Sequence, residues 1–382
     1  MKRLLLGLLC CAAGALPACA LEFSPFYGSE QKRDNNIYLS ENAPEQAWVN
    51  ISSVGFSLAH KNDGLSAGAH YGISNNSYSV DKGQNDYVGH DAGVFFSLKD
   101  STATALNFSD RYLVTTDPAV SELTQRLRRS ENLLNAYFRS TVVEWVQAFV
   151  SATALREQYF SSDNSYMDRN EYALRGGMSY EFIDDMKVFA AYEQGLIRYS
   201  SQGDCDSSYN QPSLGLEGML LPGVNVYAGA NVQRRSYSEG RTAGIYTADN
   251  TTYTPGGSFE LRWLANPDTR VRLAVSRANR ESTQALSRYY VSTLAEMGFA
   301  QTLRWFTIDT GVGMEFLDSP EVTPTTGSKR KTEDMFLRAG LSYRAGKALE
   351  FGVNYFMRER TSNEVGLGFS NQIFGFSVKG RF

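Results

Sequence analysis

The 382-residue sequence predicts an all-β fold: a transmembrane antiparallel β-barrel of 18 strands, or 16 if one hairpin is merged, with short periplasmic turns and long extracellular loops. Three observations carry that expectation. Apolar and polar residues alternate with period two along most of the chain, as in strands apolar on one face and wet on the other. Short and long connections alternate from end to end, the asymmetry of membrane barrels with tight turns on one side. No stretch beyond residue 20 approaches the ~18–20 uncharged apolar residues of a spanning helix, which excludes a helical transporter.

The first residues read as an export signal. Lys2 and Arg3 precede an apolar run from Leu4 to Leu16, and Ala18-Cys19-Ala20 fits a small-x-small cleavage site. A signal peptide is thus expected over 1–20 and one barrel domain over 21–382. Leu16-Pro17-Ala18-Cys19 weakly matches a lipoprotein box, with proline unfavourable beside the cut. After cleavage Cys205 is the one cysteine left, so no intramolecular disulfide can form.

Along the mature chain the short connectors are expected at 60–64, 99–102, 142–146, 183–186, 221–224, 265–269, 298–302 and 344–348. The long polar loops are expected at 31–46, 76–86, 114–129, 161–169, 200–209, 238–252, 283–287, 318–332 and 361–368. Between them the alternation is plain. Phe306, Ile308, Thr310, Val312, Met314 and Phe316 oppose Asp309, Gly311, Gly313 and Glu315. Leu349, Phe351, Val353, Tyr355 and Met357 oppose Glu350, Gly352, Asn354 and Arg358. A propeller would suit the recurring hairpin-plus-loop unit but lacks a repeated His or Trp-Asp signature. A soluble sandwich would need bulkier aliphatics on its inner faces.

Aromatic residues mark the two expected membrane interfaces. Tyr78, Tyr87, Tyr112, Tyr159, Tyr172, Tyr199, Tyr237, Tyr253 and Tyr289 fall where strands meet long loops; Tyr180, Trp263, Trp305 and Tyr343 fall near short turns. The loop over 114–129 is expected to carry a short helix at the mouth or folded inward. Asp117 can cap it, Pro118 suits its first turn, and good helix formers follow. The chain ends on Phe382 behind alternating apolar residues, which resembles the C-terminal assembly signal of bacterial outer-membrane barrels.

Without Lys2 and Arg3 the chain carries 35 basic and 41 acidic side chains, a net charge of −6. Residues 21–224 hold 15 Lys and Arg against 26 Asp and Glu; residues 225–382 hold 20 against 15. An exported acidic chain gives no support to nucleic acid as a partner. Catalytic constellations are not found: there is no Gly-x-Ser-x-Gly elbow, no His-Glu-x-x-His pair and no phosphate-binding glycine loop, and no cofactor is expected. His60 lies in an expected turn, and His70 and His90 flank the 76–86 loop, with Asp91 on the opposite face from His90. Structural roles outweigh a metal site there, as they do for Asp204 and Asp206 against calcium.

The arginines within or at the ends of strands are the most functional group. Arg175, Arg198, Arg234, Arg262, Arg272, Arg304, Arg338 and Arg358 are expected to line the pore, because a charge facing lipid at mid-membrane costs roughly 2–4 kcal/mol. They either brace the wall by pairing with lumenal acids or steer anionic solute.

Lys32-Arg33-Asp34-Asn35-Asn36-Ile37-Tyr38-Leu39-Ser40, followed by Ala47-Trp48-Val49-Asn50-Ile51, resembles a family of β-barrel porins found with bacterial exopolysaccharide and exosortase gene clusters. The resemblance is clearest over residues 22–115. It implies an outer-membrane barrel near polysaccharide assembly or export, and it carries no catalytic or binding residues. The reading is a non-enzymatic, water-filled channel in the cell outer membrane, for exopolysaccharide export or anionic saccharides. Its partners would be outer-membrane lipid, the barrel-assembly machinery, and exopolysaccharide or its export machinery. A general or anion-favouring diffusion porin is the near alternative, a non-conducting barrel whose loops bind polysaccharide or a partner protein the alternative of another class, and an embedded hydrolase a distant fourth.

Overall fold

Period-two alternation becomes eighteen strands in one closed antiparallel sheet. The computed structural model describes residues 21–99, 104–116, 126–201, 205–238, 250–283, 287–322 and 327–382. In chain order the strands are β1 (Glu22–Asp34), β2 (Ala47–Lys61), β3 (Leu65–Tyr78), β4 (Tyr87–Lys99), β5 (Thr104–Thr115) and β6 (Arg129–Val143). There follow β7 (Val146–Tyr159), β8 (Arg169–Ile183), β9 (Met186–Tyr199), β10 (Ser207–Leu221), β11 (Val224–Tyr237) and β12 (Thr251–Asn266). The last six are β13 (Thr269–Glu281), β14 (Tyr289–Leu303), β15 (Phe306–Val322), β16 (Lys329–Ala345), β17 (Leu349–Ser362) and β18 (Phe369–Arg381). A single helical turn, α1 (Lys82–Asn85), and a 3-10 turn over Ser162–Met167 sit in loops.

Each strand pairs with its neighbours in sequence, and β1 closes the ring on β18 from Phe26↔Arg381 to Asp34↔Ile373. Closure removes the sheet edge, so no row of N–H and C=O groups is left to lipid. Residues paired across strands share a face, which fixes inside and outside from the register. Val353, Phe374 and Phe376 are exposed on the lipid face; Asn354, Gly375 and Glu30 share the lumenal one, with Asn354 donating to Glu30 at 3.1 Å. The strands run from 12 residues in β5 to 17 in β15 and β16, longer than the ~9–11 that cross a bilayer. The excess stands above the membrane and forms the mouth.

Six expected turns fall on 62–64, 144–145, 184–185, 222–223, 267–268 and 346–348, and residues 100–103 lie outside the described set. The turn expected at 298–302 is displaced. β14 runs through those residues in register with β13 and β15, and the chain reverses at Arg304-Trp305. The glycine there has another cause. A Cβ on Gly311, paired with Gly298, would meet Arg338 Nε at 2.5 Å, so the two glycines leave a bed for that side chain. Elsewhere rings occupy the same kind of space: Phe149 lies over Gly177, Phe189 over Gly215 and Phe336 over Gly313, bracing strand positions that lack a side chain.

The aromatic belts are also partly revised. Tyr112, Tyr172 and Tyr253 face out near the loops, and Tyr180, Trp263, Trp305 and Tyr343 are exposed at the turn end. Tyr78, Tyr159, Tyr237 and Tyr289 are instead buried at the tops of their strands. Alternation puts Tyr78, Tyr159 and Tyr237 inside, while Tyr289, on the parity of the exposed Met297, is covered by its stack on Tyr237 at 5.7 Å. The Tyr159 hydroxyl donates to Glu157 at 2.5 Å and the half-buried Tyr199 hydroxyl to Glu281 at 2.9 Å.

Candidate functional site

Charged strand residues gather on the wall of the lumen. Arg175, Arg262, Arg272, Arg338 and Arg358 lie on it, each paired in register with other inward positions: Ser151, Asn225, Gly298, Gly311 and Phe336 respectively. Three expectations are corrected. Arg198 and Arg234 fall on the outer face, because Arg198 pairs with Asn170 and Arg234 with the lipid-facing Tyr253. Arg304 lies in the displaced periplasmic turn at φ 54, where it stacks on Trp305 at 5.2 Å. In each case the count of alternation was one step off, or was ended by the turn.

The lower wall is charged and wet. Glu260 accepts from Arg262 and, at 3.4 Å, from Arg272, which also pairs with Glu296. Lys187 bonds Gln147 at 3.1 Å and lies 3.7 Å from Glu181. Arg175 sits between two rings, 5.6 Å from Phe189 and 5.7 Å from Phe149. Arg338 is exposed on its glycine bed, and Arg139 shares the same wall on β6; sequence reasoning missed Arg139, although its place opposite Phe149 could have shown it. Among the described residues Arg139, Arg175 and Arg338 have no ion-pair partner. Recesses of about 480 Å³ and 600 Å³ meet at Asn225 and Arg262, the second reaching Asp309 and Arg338. A third, of about 730 Å³, lies at the β1–β18 seam beside Glu30, Glu350 and Lys379.

The upper wall is dry. Asp334 accepts from Arg358 at 2.6 Å and from Arg360 at 2.5 Å, with all three largely buried, so Arg358 serves the wall and not the solute. Arg235 joins Glu281, Arg288 joins Glu321 at 2.7 Å, and Arg129 and Arg169 enclose Glu157. This collar of buried pairs was not visible in the sequence, where Arg235, one step from Arg234, differs from it only in parity.

Loops fold over the collar. Arg126, from the end of the 116–128 loop, donates to Asp34 Oδ2 at 2.7 Å and to the Ile37 carbonyl at 2.8 Å. Leu127 beside it packs on the cluster of Tyr159 and Met167, as does Tyr166. Of the helix expected from Asp117 to Leu127, residues 117–125 lie outside the described set, and its end, Arg126 and Leu127, is irregular chain that turns inward. Tyr166 reaches the Thr283 carbonyl at 3.3 Å, linking the loop after β7 to the loop after β13. The Asp34–Leu39 motif proves to be a knot: Asn36 bonds the carbonyls of Ser40 and Ser370, and Ile37 is fully buried against Ala47, Val49 and Tyr78.

The histidines part company. His70 faces the lumen, 3.2 Å from Asp91, which also takes a bidentate Arg111. His90 faces out, bonding the Tyr71 hydroxyl at 3.0 Å. Among the described residues no three His, Cys, Asp or Glu side chains gather in a metal-binding group. Asp206 caps the Tyr199 N–H at 2.7 Å, and Asp204 lies outside the described residues.

A family model described as "Putative beta-barrel porin 2" matches residues 151–382, so the matched part lies beyond the opening motif that carried the resemblance. Among solved structures, OccAB4 of Acinetobacter baumannii aligns with TM-score 0.50 at 11% identity, over 94% of this chain and 98% of that one. OccK8 (OprE) of Pseudomonas aeruginosa aligns with TM-score 0.49 at 10% identity, over 95% and 98%. OccAB3 of Acinetobacter baumannii aligns with TM-score 0.48 at 12% identity, over 95% and 99%. At such identities the OccAB4 likeness is one of fold. No curated protein matches the chain.

Proposed function

The chain belongs to the β-barrel porin 2 family, a porin-like barrel of the outer membrane, and from that premise we propose that it passes anionic solutes, with acidic saccharides and exopolysaccharide as its cargo. One observation carries this reading: Arg139, Arg175 and Arg338 stand in the wet lower lumen without an acidic partner among the described residues, while Glu260 and Glu296 are held by Arg262 and Arg272. Charges near the narrow section act within the ~8–10 Å Debye length, so the lining and not the net charge of −6 sets selectivity. Phe149 and Tyr227 on the same wall are partly exposed and offer apolar faces to sugar rings, with Tyr227 stacked at 5.5 Å on the buried Phe189. No catalytic role is proposed for any residue.

The test is the reversal potential of the reconstituted protein under a KCl gradient. Anion preference that fades in R139Q/R175Q/R338Q, together with block by acidic oligosaccharides, supports the reading; cation preference in the unaltered protein overturns it. The buried collar and its inward loops favour a second reading, a closed scaffold whose loops bind polysaccharide. That reading expects no conductance at all, with saccharide binding intact.

A further inference from the structure

The arginines that do not face the lumen form a row of their own. On four successive strands that rise toward the loops, β7, β9, β11 and β13, an exposed arginine points outward near the upper end: Arg156, Arg198, Arg234 and Arg277. Arg156 and Arg198 flank Asn170 in register. Arg234 lies between Asn210 and Tyr253. Neighbouring strands are ~4.8 Å apart, so Arg156 and Arg198, level across Asn170, stand roughly 10 Å apart, while Arg234 pairs through Asn210 with Gln194, four residues below Arg198, and stands roughly 16 Å from it.

Placement tells which part of the membrane they meet. Tyr172 and Tyr192 lie below the row and Tyr253 within it, all exposed at 49–67% on the outer face. Such tyrosines mark the headgroup level, where an outward charge costs ~0–1 kcal/mol against the ~2–4 of the midplane. Arg156 and Arg234 have no ion-pair partner among the described residues. Arg198 reaches Asp206 at 3.3 Å and Arg277 the Thr293 hydroxyl at 2.7 Å. Asp110, on the same face, is engaged by Asn132 at 2.8 Å. Across the barrel the corresponding outward positions of β16 and β17 carry Glu333 and Glu359. Lys329 and Lys331 share that outward face of β16 and Arg33 stands outward on β1, so the charges there are mixed, whereas the β7–β13 row is arginine-led.

We propose that the β7–β13 face is a binding surface for the phosphorylated glycolipid of the outer leaflet, with Arg156, Arg198 and Arg234 gripping its phosphates. Guanidinium groups match phosphate oxygens with paired hydrogen bonds, and the Asn170 amide between Arg156 and Arg198 suits a sugar hydroxyl. The acyl chains would lie along the apolar wall below. This surface is outside the lumen, so it stands whether or not the barrel conducts.

The experiment uses the detergent-solubilised barrel titrated with bis-phosphorylated lipid A and, separately, with fully dephosphorylated lipid A, binding being read by native mass spectrometry. The phosphorylated form binds the unaltered protein, and R156Q/R198Q/R234Q binds it about a hundredfold more weakly, roughly fivefold per arginine. Gel mobility before and after heating verifies that the variant is folded, and R156K/R198K/R234K restores part of the affinity. Equal binding by the folded glutamine variant, or equal binding of the dephosphorylated lipid, overturns the proposal.

Discussion

Asp334 shows how much one side chain in the collar holds. Its two oxygens take Arg358 at 2.6 Å and Arg360 at 2.5 Å, and its exposure is 1%. Replacing it with Asn leaves two buried cations short of a counter-charge, a loss of about 3–5 kcal/mol for a broken buried pair. Asp334→Asn should lower the urea midpoint of the barrel, and R358Q/R360Q added to it should recover part of the loss. An unchanged midpoint would mean that water reaches the site. A gentler case is Tyr38 in the first loop, whose hydroxyl donates to Asp81 Oδ2 at 2.6 Å and accepts from Asn85 at 2.8 Å. Burial, then the Asp81 carboxylate, raises this phenol above its ordinary 10.0. A raised folded value means that the contact contributes fully below about pH 10 and is lost as pH rises through the folded value. Amide exchange in the 35–46 loop should therefore quicken in strong alkali beyond the intrinsic rate. Tyr38→Phe should be fast at all pH values; a pH-independent loop in the unaltered protein would contradict this.

At the scale of elements, the hairpin mouths repeat one device. The aspartate that leads each of three down-going strands caps the last N–H of the rising strand: Asp86 takes Tyr78, Asp168 takes Tyr159 and Asp206 takes Tyr199, each at 2.7 Å. The sequence displays these Tyr and Asp residues plainly, yet it offers them as belts and as an acidic pair. A tyrosine at a strand's last position faces in or out by parity, and parity is lost whenever a boundary slips by one residue. The same slip exchanged Arg234 for Arg235 and hid Arg139. Residues 126–128, leading into β6, are tied by Arg126 to Asp34 at the end of β1 and to the Ile37 carbonyl. If that latch narrows the mouth, Arg126→Ala should raise single-channel conductance by about twofold or more, while heating still shifts the gel band. Conductance equal to that of the unaltered protein would place the loop outside the permeation path.

For the whole molecule, alternation, connection lengths and the missing apolar helix were enough to give eighteen strands and their direction, because a barrel's pattern is written locally in every hairpin. The collar is not local: Arg126 and Asp34 are 92 residues apart, and no periodicity joins them. Closure is the other global event, and it hangs on the last residues. β18 must find β1, which leads the mature chain by the expected cleavage before Leu21. The final link is small but specific: the Phe382 N–H donates to the Pro25 carbonyl at 3.0 Å, and its ring stacks on Tyr27, 6.1 Å away. Tyr27 in turn lies over Gly380, where any Cβ would meet its ring at 2.1 Å, so the seam has one fitted end. Phe382 is 68% exposed on the outer side of that seam. Deleting Phe382 should therefore reduce the inserted, heat-modifiable fraction at normal expression, with export across the inner membrane unchanged. Phe382→Tyr, which keeps the ring and the N–H, should assemble normally. If the deletion variant reaches the outer membrane at the level of the unaltered chain, the terminal aromatic is dispensable and the long β1–β18 ladder closes the barrel alone.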